Sequence, residues 1–196
     1  MPRSDSVPAF RLLGQREAVN AEGNDYLQMP KKVLITSFST WKPHHRVNSS
    51  DELLRHIEVS AHQSLHFLRR LPVDFQEAPR QVMAEFEALK PDILICCGMA
   101  EERQKLHIES QATVNEQTLI SEIDLQRLTH GLPMTEVSHD AGRFVCNTLY
   151  FHMLRHLDRQ PQKHHCIFAH VPVLTPENTQ PVKSDFLSII DRMATI

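Results

Sequence analysis

Residues 92–98 read Asp-Ile-Leu-Ile-Cys-Cys-Gly, a continuous apolar run, too short to make a helix, that follows Pro91 and closes on Gly98. A run of this kind suits a strand covered on both faces, as in a parallel sheet. Residues 32–38 and 166–171 have the same character, and weaker strand signals occupy 65–68 and 134–139. Between these runs the apolar residues fall at helical spacing. Leu53, Leu54 and Ile57 follow the capping candidates Ser49, Ser50 and Asp51; Val82, Phe86 and Leu89 mark a helix from about residue 79 that Pro91 ends. Further helices are predicted around 120–128, from Cys146 through Leu149, Met153 and Leu157, and over 185–193 with Phe186, Ile189 and Ile190 inward. Strands alternating with helices predict an α/β fold.

The 196 residues, 41% of them hydrophobic, suit one domain with a sizeable core. That domain is expected over 31–196. Residues 1–30 carry Pro2, Pro8, Gly14, Gly23 and Pro30 among mixed polar residues without a sustained period, and read as an arm outside the catalytic fold. The 21 basic and 24 acidic residues are interspersed and leave a formal charge of -3, so no footprint for nucleic acid or an anionic membrane emerges. Cys96, Cys97, Cys146 and Cys166 make a poor disulfide framework for this length, which points to a reducing cytoplasm. No apolar run approaches the roughly 20 residues of a membrane span, and the first 30 residues lack a secretory h-region.

The chemistry concentrates in Ala141-Gly142-Arg143-Phe144-Val145-Cys146-Asn147, with His170 following in Phe168-Ala169-His170-Val171-Pro172. A thiol at a helix start gains from the exposed amide N–H groups and the positive end of the helix dipole, which also suit an oxyanion. His170 is placed to accept the thiol proton and return it to a leaving amine, with a carboxylate needed to orient the imidazole. Taken singly, Cys146 and His170 read as readily as core residues. No Gly-x-Gly-x-x-Gly or phosphate-loop sequence supports a nucleotide-binding domain.

With these residues in place the sequence resembles the pyroglutamyl peptidase type I (pyrrolidone carboxyl peptidase) family of cysteine peptidases, as a divergent member. Residues 31–38 look like the family's first strand. Residues 91–115 look like its Pro-Asp-Ile strand, Gly-X-Ala turn, arginine and catalytic glutamate. Residues 141–147 look like its nucleophile motif, and His170-Val171-Pro172 completes the set. The resemblance implies a single-domain α/β/α sandwich with a mostly parallel mixed sheet of the phosphorylase/hydrolase-like kind, and a triad of Glu109, Cys146 and His170. It implies hydrolysis of the amide after an N-terminal pyroglutamyl residue through a thioester, without metal or organic cofactor, on an N-terminally blocked peptide; assembly as a homo-oligomer stays open. Arg103 matches the arginine after the turn, either complementing the oxyanion or ordering the site. Phe38 and Phe144 match aromatics that sandwich the lactam ring, Trp41 falls where a further phenylalanine is usual, and Asn48 matches an asparagine of the following loop.

The departures lie in the pocket. Trp41-Lys42-Pro43-His44-His45 stands in place of a glycine-rich stretch, Met99 in place of a ring-reading glutamine, Glu101-Glu102 in place of a glycine pair and Arg143 in place of a small residue. The stretch between Asn115 and Ile120 is shorter than the family's. These departures leave open a second reading, a family-related binding protein for pyroglutamyl or other blocked peptides with weak turnover. The pairs His44-His45 and His164-His165, taken as neighbours on a strand, point to opposite faces, so no metal is expected.

Overall fold

The computed structural model describes residues 30–59 and 64–196, and the backbone of 17–19 and 25–27. Two short antiparallel strands, β1 (Glu17–Val19) and β2 (Asp25–Leu27), fall within the sequence read as an unpatterned arm. The rest of that arm lies outside the described residues.

The three continuous apolar runs form the middle of a six-stranded sheet. They are β3 (Val33–Phe38), β5 (Ile93–Met99) and β10 (His165–Val171), and the sheet order is β4-β3-β5-β10-β6-β9. β4 (Leu65–Leu71) flanks β3, while β6 (Leu106–Glu109) and β9 (Thr135–Ser138) complete the other side. All neighbours are parallel except β10 and β6, so the sheet is mostly parallel and mixed.

Strand alternation sorts the side chains into two cores. On one face Ile93, Ile95, Cys97, Ile108, Ile167 and Ala169 pack under α1 (Ser49–Glu58), α3 (Leu125–Thr129) and α5 (Thr179–Ala194). On the other, Leu94, Cys96, Cys166 and Phe168 pack under α2 (Glu77–Leu89) and α4 (Val145–Leu157). Helices on both faces bury the central strands completely, which is why those strands read as unbroken apolar runs. The expected α/β/α sandwich is the fold observed.

Three local expectations are corrected. The helix predicted around 120–128 is confined to the five-residue α3, with 121–124 irregular, and the stretch before it, to which the sequence pattern assigns no element, forms a hairpin, β7 (Gln111–Val114) and β8 (Gln117–Ile120). Asn115 and Glu116 turn that hairpin with φ of 48° and 64°, the double left-handed geometry that matches strand twist. Helix α1 is capped by Asn48, whose Oδ1 accepts from the Ser50 N–H at 3.0 Å, and not by Ser49, Ser50 or Asp51. Asp51 instead receives Arg69 at 2.8 Å and Arg70 at 3.0 Å, which lowers its carboxyl pKa against the opposing pull of burial. Finally, His44 and His45 sit in a turn before α1 and not on a strand, so strand alternation does not separate them.

Candidate active site

The period-two alternation of the strands decides which residues face α4. Ile108 and Ala169 point into the core beneath α5, so Glu109 on β6 and His170 on β10 point to the α4 face. His170 is the register partner of Gly98 on β5, and Glu109 lies opposite Phe168. Both polar side chains are buried, and the Nδ1 of His170 lies 2.7 Å from Oε1 of Glu109. An ionised carboxylate only accepts hydrogen bonds, so Nδ1–H is the donor and Nε2 keeps the basic lone pair.

Cys146 reaches the same place from above. Val145 and Leu149 anchor α4 in the core, and the cysteine is its second residue, half-buried at the end over the sheet. A Cβ built on Gly98 would lie 2.5 Å from the Cys146 Sγ, so the thiol rests directly on the glycine. The hydrogen side chain of Gly98 is therefore what admits sulfur to this position, beside the strand that carries His170. Phe144, the N-cap of α4, makes no capping hydrogen bond with its side chain, so no cap side chain competes for the first-turn amides beside the thiol.

Two residues of α4 beyond Cys146 fix the helix to the rest of the site. The Tyr150 hydroxyl donates to the Glu109 backbone carbonyl at 3.0 Å. The Asn147 amide donates to the Thr113 carbonyl at 2.7 Å and accepts from the Thr113 N–H at 2.9 Å, clasping β7. Arg103 spans to Glu109 Oε1 at 3.3 Å and donates to the Asp140 carbonyl at 2.9 Å. It joins the Glu109 carboxylate to the loop before Cys146. Of its two expected roles, the geometry favours ordering the site.

Phe38, Trp41, Asn48, Met99 and Phe144, five residues separated widely in sequence, line one cavity together with Val73, Val145 and Cys146. Its volume is about 30 Å³, on the order of a water's share of the liquid, so a ring-sized group enters only if the walls move. The exposed wall is aromatic. Phe144 is 45% exposed and contacts Phe75 edge-on at 5.6 Å and Trp41 at 6.3 Å between centroids.

A family model described as pyroglutamyl peptidase matches residues 31–128 and 118–185, two segments that meet around the β7–β8 hairpin. The chain belongs to the pyroglutamyl peptidase family, a family of cysteine omega-peptidases. Among its relatives is the pyrrolidone-carboxylate peptidase of Bacillus subtilis, 27% identical over 189 residues, with 82% of this chain and 86% of the relative covered. The enzyme of the same name from Erwinia tasmaniensis is 28% identical, covering 74% and 79%. The fold matches that of pyroglutamyl peptidase I from Bacillus amyloliquefaciens with a TM-score of 0.73 at 20% identity, over 86% of this chain and 96% of that one. A variant of the pyrrolidone carboxyl peptidase of Pyrococcus furiosus gives 0.71 at 20% identity, covering 84% and 98%.

Within this family member the polar atoms of the pocket are already engaged. Asn48 donates to the Ser39 carbonyl at 3.0 Å while its oxygen caps α1, and the Met99 sulfur accepts from the Ser49 N–H at 3.3 Å. The Asn48 amide keeps a second N–H, whereas the Met99 thioether has no donor to offer a ligand. Burial pushes the Cys146 thiol up to about 12; its own backbone N–H pulls the other way, and Cys96 and Glu109 add to the rise. A raised thiol pKa means that attack by this sulfur would need a base to take its proton. Sequence reasoning missed the contributions of Gly98, Asn147 and Tyr150.

Proposed function

We propose that this protein hydrolyses the amide bond that follows an N-terminal pyroglutamyl residue, with Cys146 as nucleophile, His170 as general base and acid, and Glu109 as the orienting carboxylate. The catalytic unit is residues 31–196, with 1–30 outside it. The observation that carries the reading is the buried 2.7 Å Glu109–His170 hydrogen bond on the sheet face where the Cys146 sulfur rests against Gly98.

His170 Nε2 takes the thiol proton as sulfur bonds to the carbonyl carbon, and the carbonyl oxygen becomes an oxyanion beside the free amides at the start of α4. Collapse breaks the carbon–nitrogen bond, the leaving amine receives the proton from the imidazolium, and a thioester remains on Cys146. Water, deprotonated by His170, attacks that thioester and releases pyroglutamate. Glu109 stabilises the imidazolium in both halves, and Arg103 holds Glu109 and the loop before the nucleophile. A thiol whose pKa is raised fits proton transfer to His170 during attack better than a preformed ion pair. The substrate is an N-terminally blocked peptide. All four cysteines are free thiols, which suits the cytoplasm, and no helix among the described residues is long and apolar enough to cross a membrane.

The second reading, a binding protein with weak turnover, draws on the same raised thiol pKa and on the engagement of Asn48 and Met99. A fluorogenic pyroglutamyl amide separates the two. Wild-type turnover that disappears in Cys146→Ala supports the peptidase. Binding of pyroglutamyl ligands without turnover by the wild type would sink it.

A further inference from the structure

The turn that departs most from the family pattern gathers metal-ligating groups beside the pocket. His44, His45 and Glu101 each present one donor atom, and the three donors lie within 4.8 Å of one another. His45 Nε2 is 2.5 Å from Glu101 Oε1. The His45 side chain is only 6% exposed, and its other nitrogen, Nδ1, is buried without a hydrogen-bond partner. A buried ring nitrogen left unpaired calls for a specific explanation. Two imidazoles and a carboxylate form the mixed nitrogen–oxygen set that borderline divalent ions prefer, and three protein ligands leave a fourth position open.

We propose that His44, His45 and Glu101 form a binding site for a divalent transition-metal ion of the zinc type, and that its occupation fixes the turn carrying Trp41. The Trp41 and His45 rings meet edge-to-face with centroids 4.6 Å apart, and Trp41 lines the cavity that contains Cys146. An ion held by His45 therefore acts on one wall of the pocket. Donors of a tetrahedral zinc at about 2.0–2.1 Å sit roughly 3.4 Å apart, so the ion must part the 2.5 Å His45–Glu101 contact by about 0.9 Å while the exposed His44 closes toward the other two. Lys42 is the competitor. Its ammonium lies 2.8 Å and 3.0 Å from the two Glu101 oxygens, holding the charge that the ion would neutralise, but at 42% exposure it can swing into water.

Trp41 is the sole tryptophan of the chain, which makes its fluorescence a local probe of this turn. The test uses untagged full-length Cys146→Ala protein, so that the nucleophilic thiol does not bind the metal and the result does not depend on the peptidase reading. Zinc chloride is titrated while tryptophan fluorescence is followed, with stoichiometry from equilibrium dialysis. A saturable change at one zinc per chain is expected, weakened about tenfold or more by His45→Ala and by Glu101→Gln. Lys42→Met should tighten it several-fold, a gain that misfolding does not produce. His164→Gln should leave it unchanged. No saturable fluorescence change, or one that persists in both His45→Ala and Glu101→Gln, would overturn the proposal.

Discussion

The triad and the recognition turn stand side by side but are built in opposite ways. Glu109 and His170 belong to adjacent strands in the middle of the sheet, where register sets their spacing and both cores hold the backbone. Trp41, His44 and His45 belong to an irregular turn, where the ring contacts are made mostly among the turn's own residues. On the proposed reading, the comparison teaches that the chemistry would be determined by topology, whereas the choice of substrate would rest on an irregular segment outside the sheet.

Attacking the rigid half should have the larger effects. Glu109→Gln keeps the shape but offers His170 an amide in place of a charge, and kcat is expected to fall by up to roughly 10⁴-fold. Steady-state kinetics alongside a thermal melt separates that loss from instability; kcat within a few-fold of wild type would remove Glu109 from the mechanism. Alkylation tests the state of the thiol. With Cys146 raised to about 12, its iodoacetamide rate should climb about tenfold per pH unit from pH 8 to 11, ahead of the buried Cys96, Cys97 and Cys166. A plateau near neutrality would mean that a preformed thiolate exists. Gly98→Ala should lower kcat by roughly 10- to 100-fold, because the added methyl meets the Cys146 sulfur and a displaced nucleophile reacts poorly. Unchanged kinetics there would show that α4 yields more easily than its anchors imply.

The recognition half calls for gentler changes. Met99→Gln adds a polar side chain to the pocket wall, and one new hydrogen bond worth about 1 kcal/mol should lower KM for a pyroglutamyl amide roughly fivefold with kcat little changed. If kcat moves instead and KM does not, the two halves are coupled more tightly than their construction implies.

Much of the rigid half was legible because central strands buried on both faces must be mostly apolar, as β3, β5 and β10 are apart from Thr36, Ser37, His165 and His170. Cys146 was legible as the start of a helix for the same reason, since Leu149, Met153 and Leu157 mark its buried stripe. Glu109 was reached only through family resemblance. A four-residue strand carries little periodicity, and nothing local says that its last carboxylate is buried. The β7–β8 hairpin was not foreseen because its turn lacks glycine, the usual mark of a left-handed pair, and uses Asn115 and Glu116 instead. The contacts of His45 were not legible at all, because Glu101, its partner, comes from the far end of β5 and turns have no period to extrapolate.

The bond from Tyr150 to the Glu109 carbonyl ties the helix bearing the nucleophile to the strand bearing the carboxylate, while Glu109 itself grips a third element, β10. No two of these pieces make a working site. On the proposed mechanism, a nascent or partly unfolded chain carries a cysteine, a histidine and a glutamate that have not met, and so has no cutting ability. Cutting ability is acquired in the same step as the tertiary structure and lost with it, so residual activity on heating should trace the cooperative melting curve.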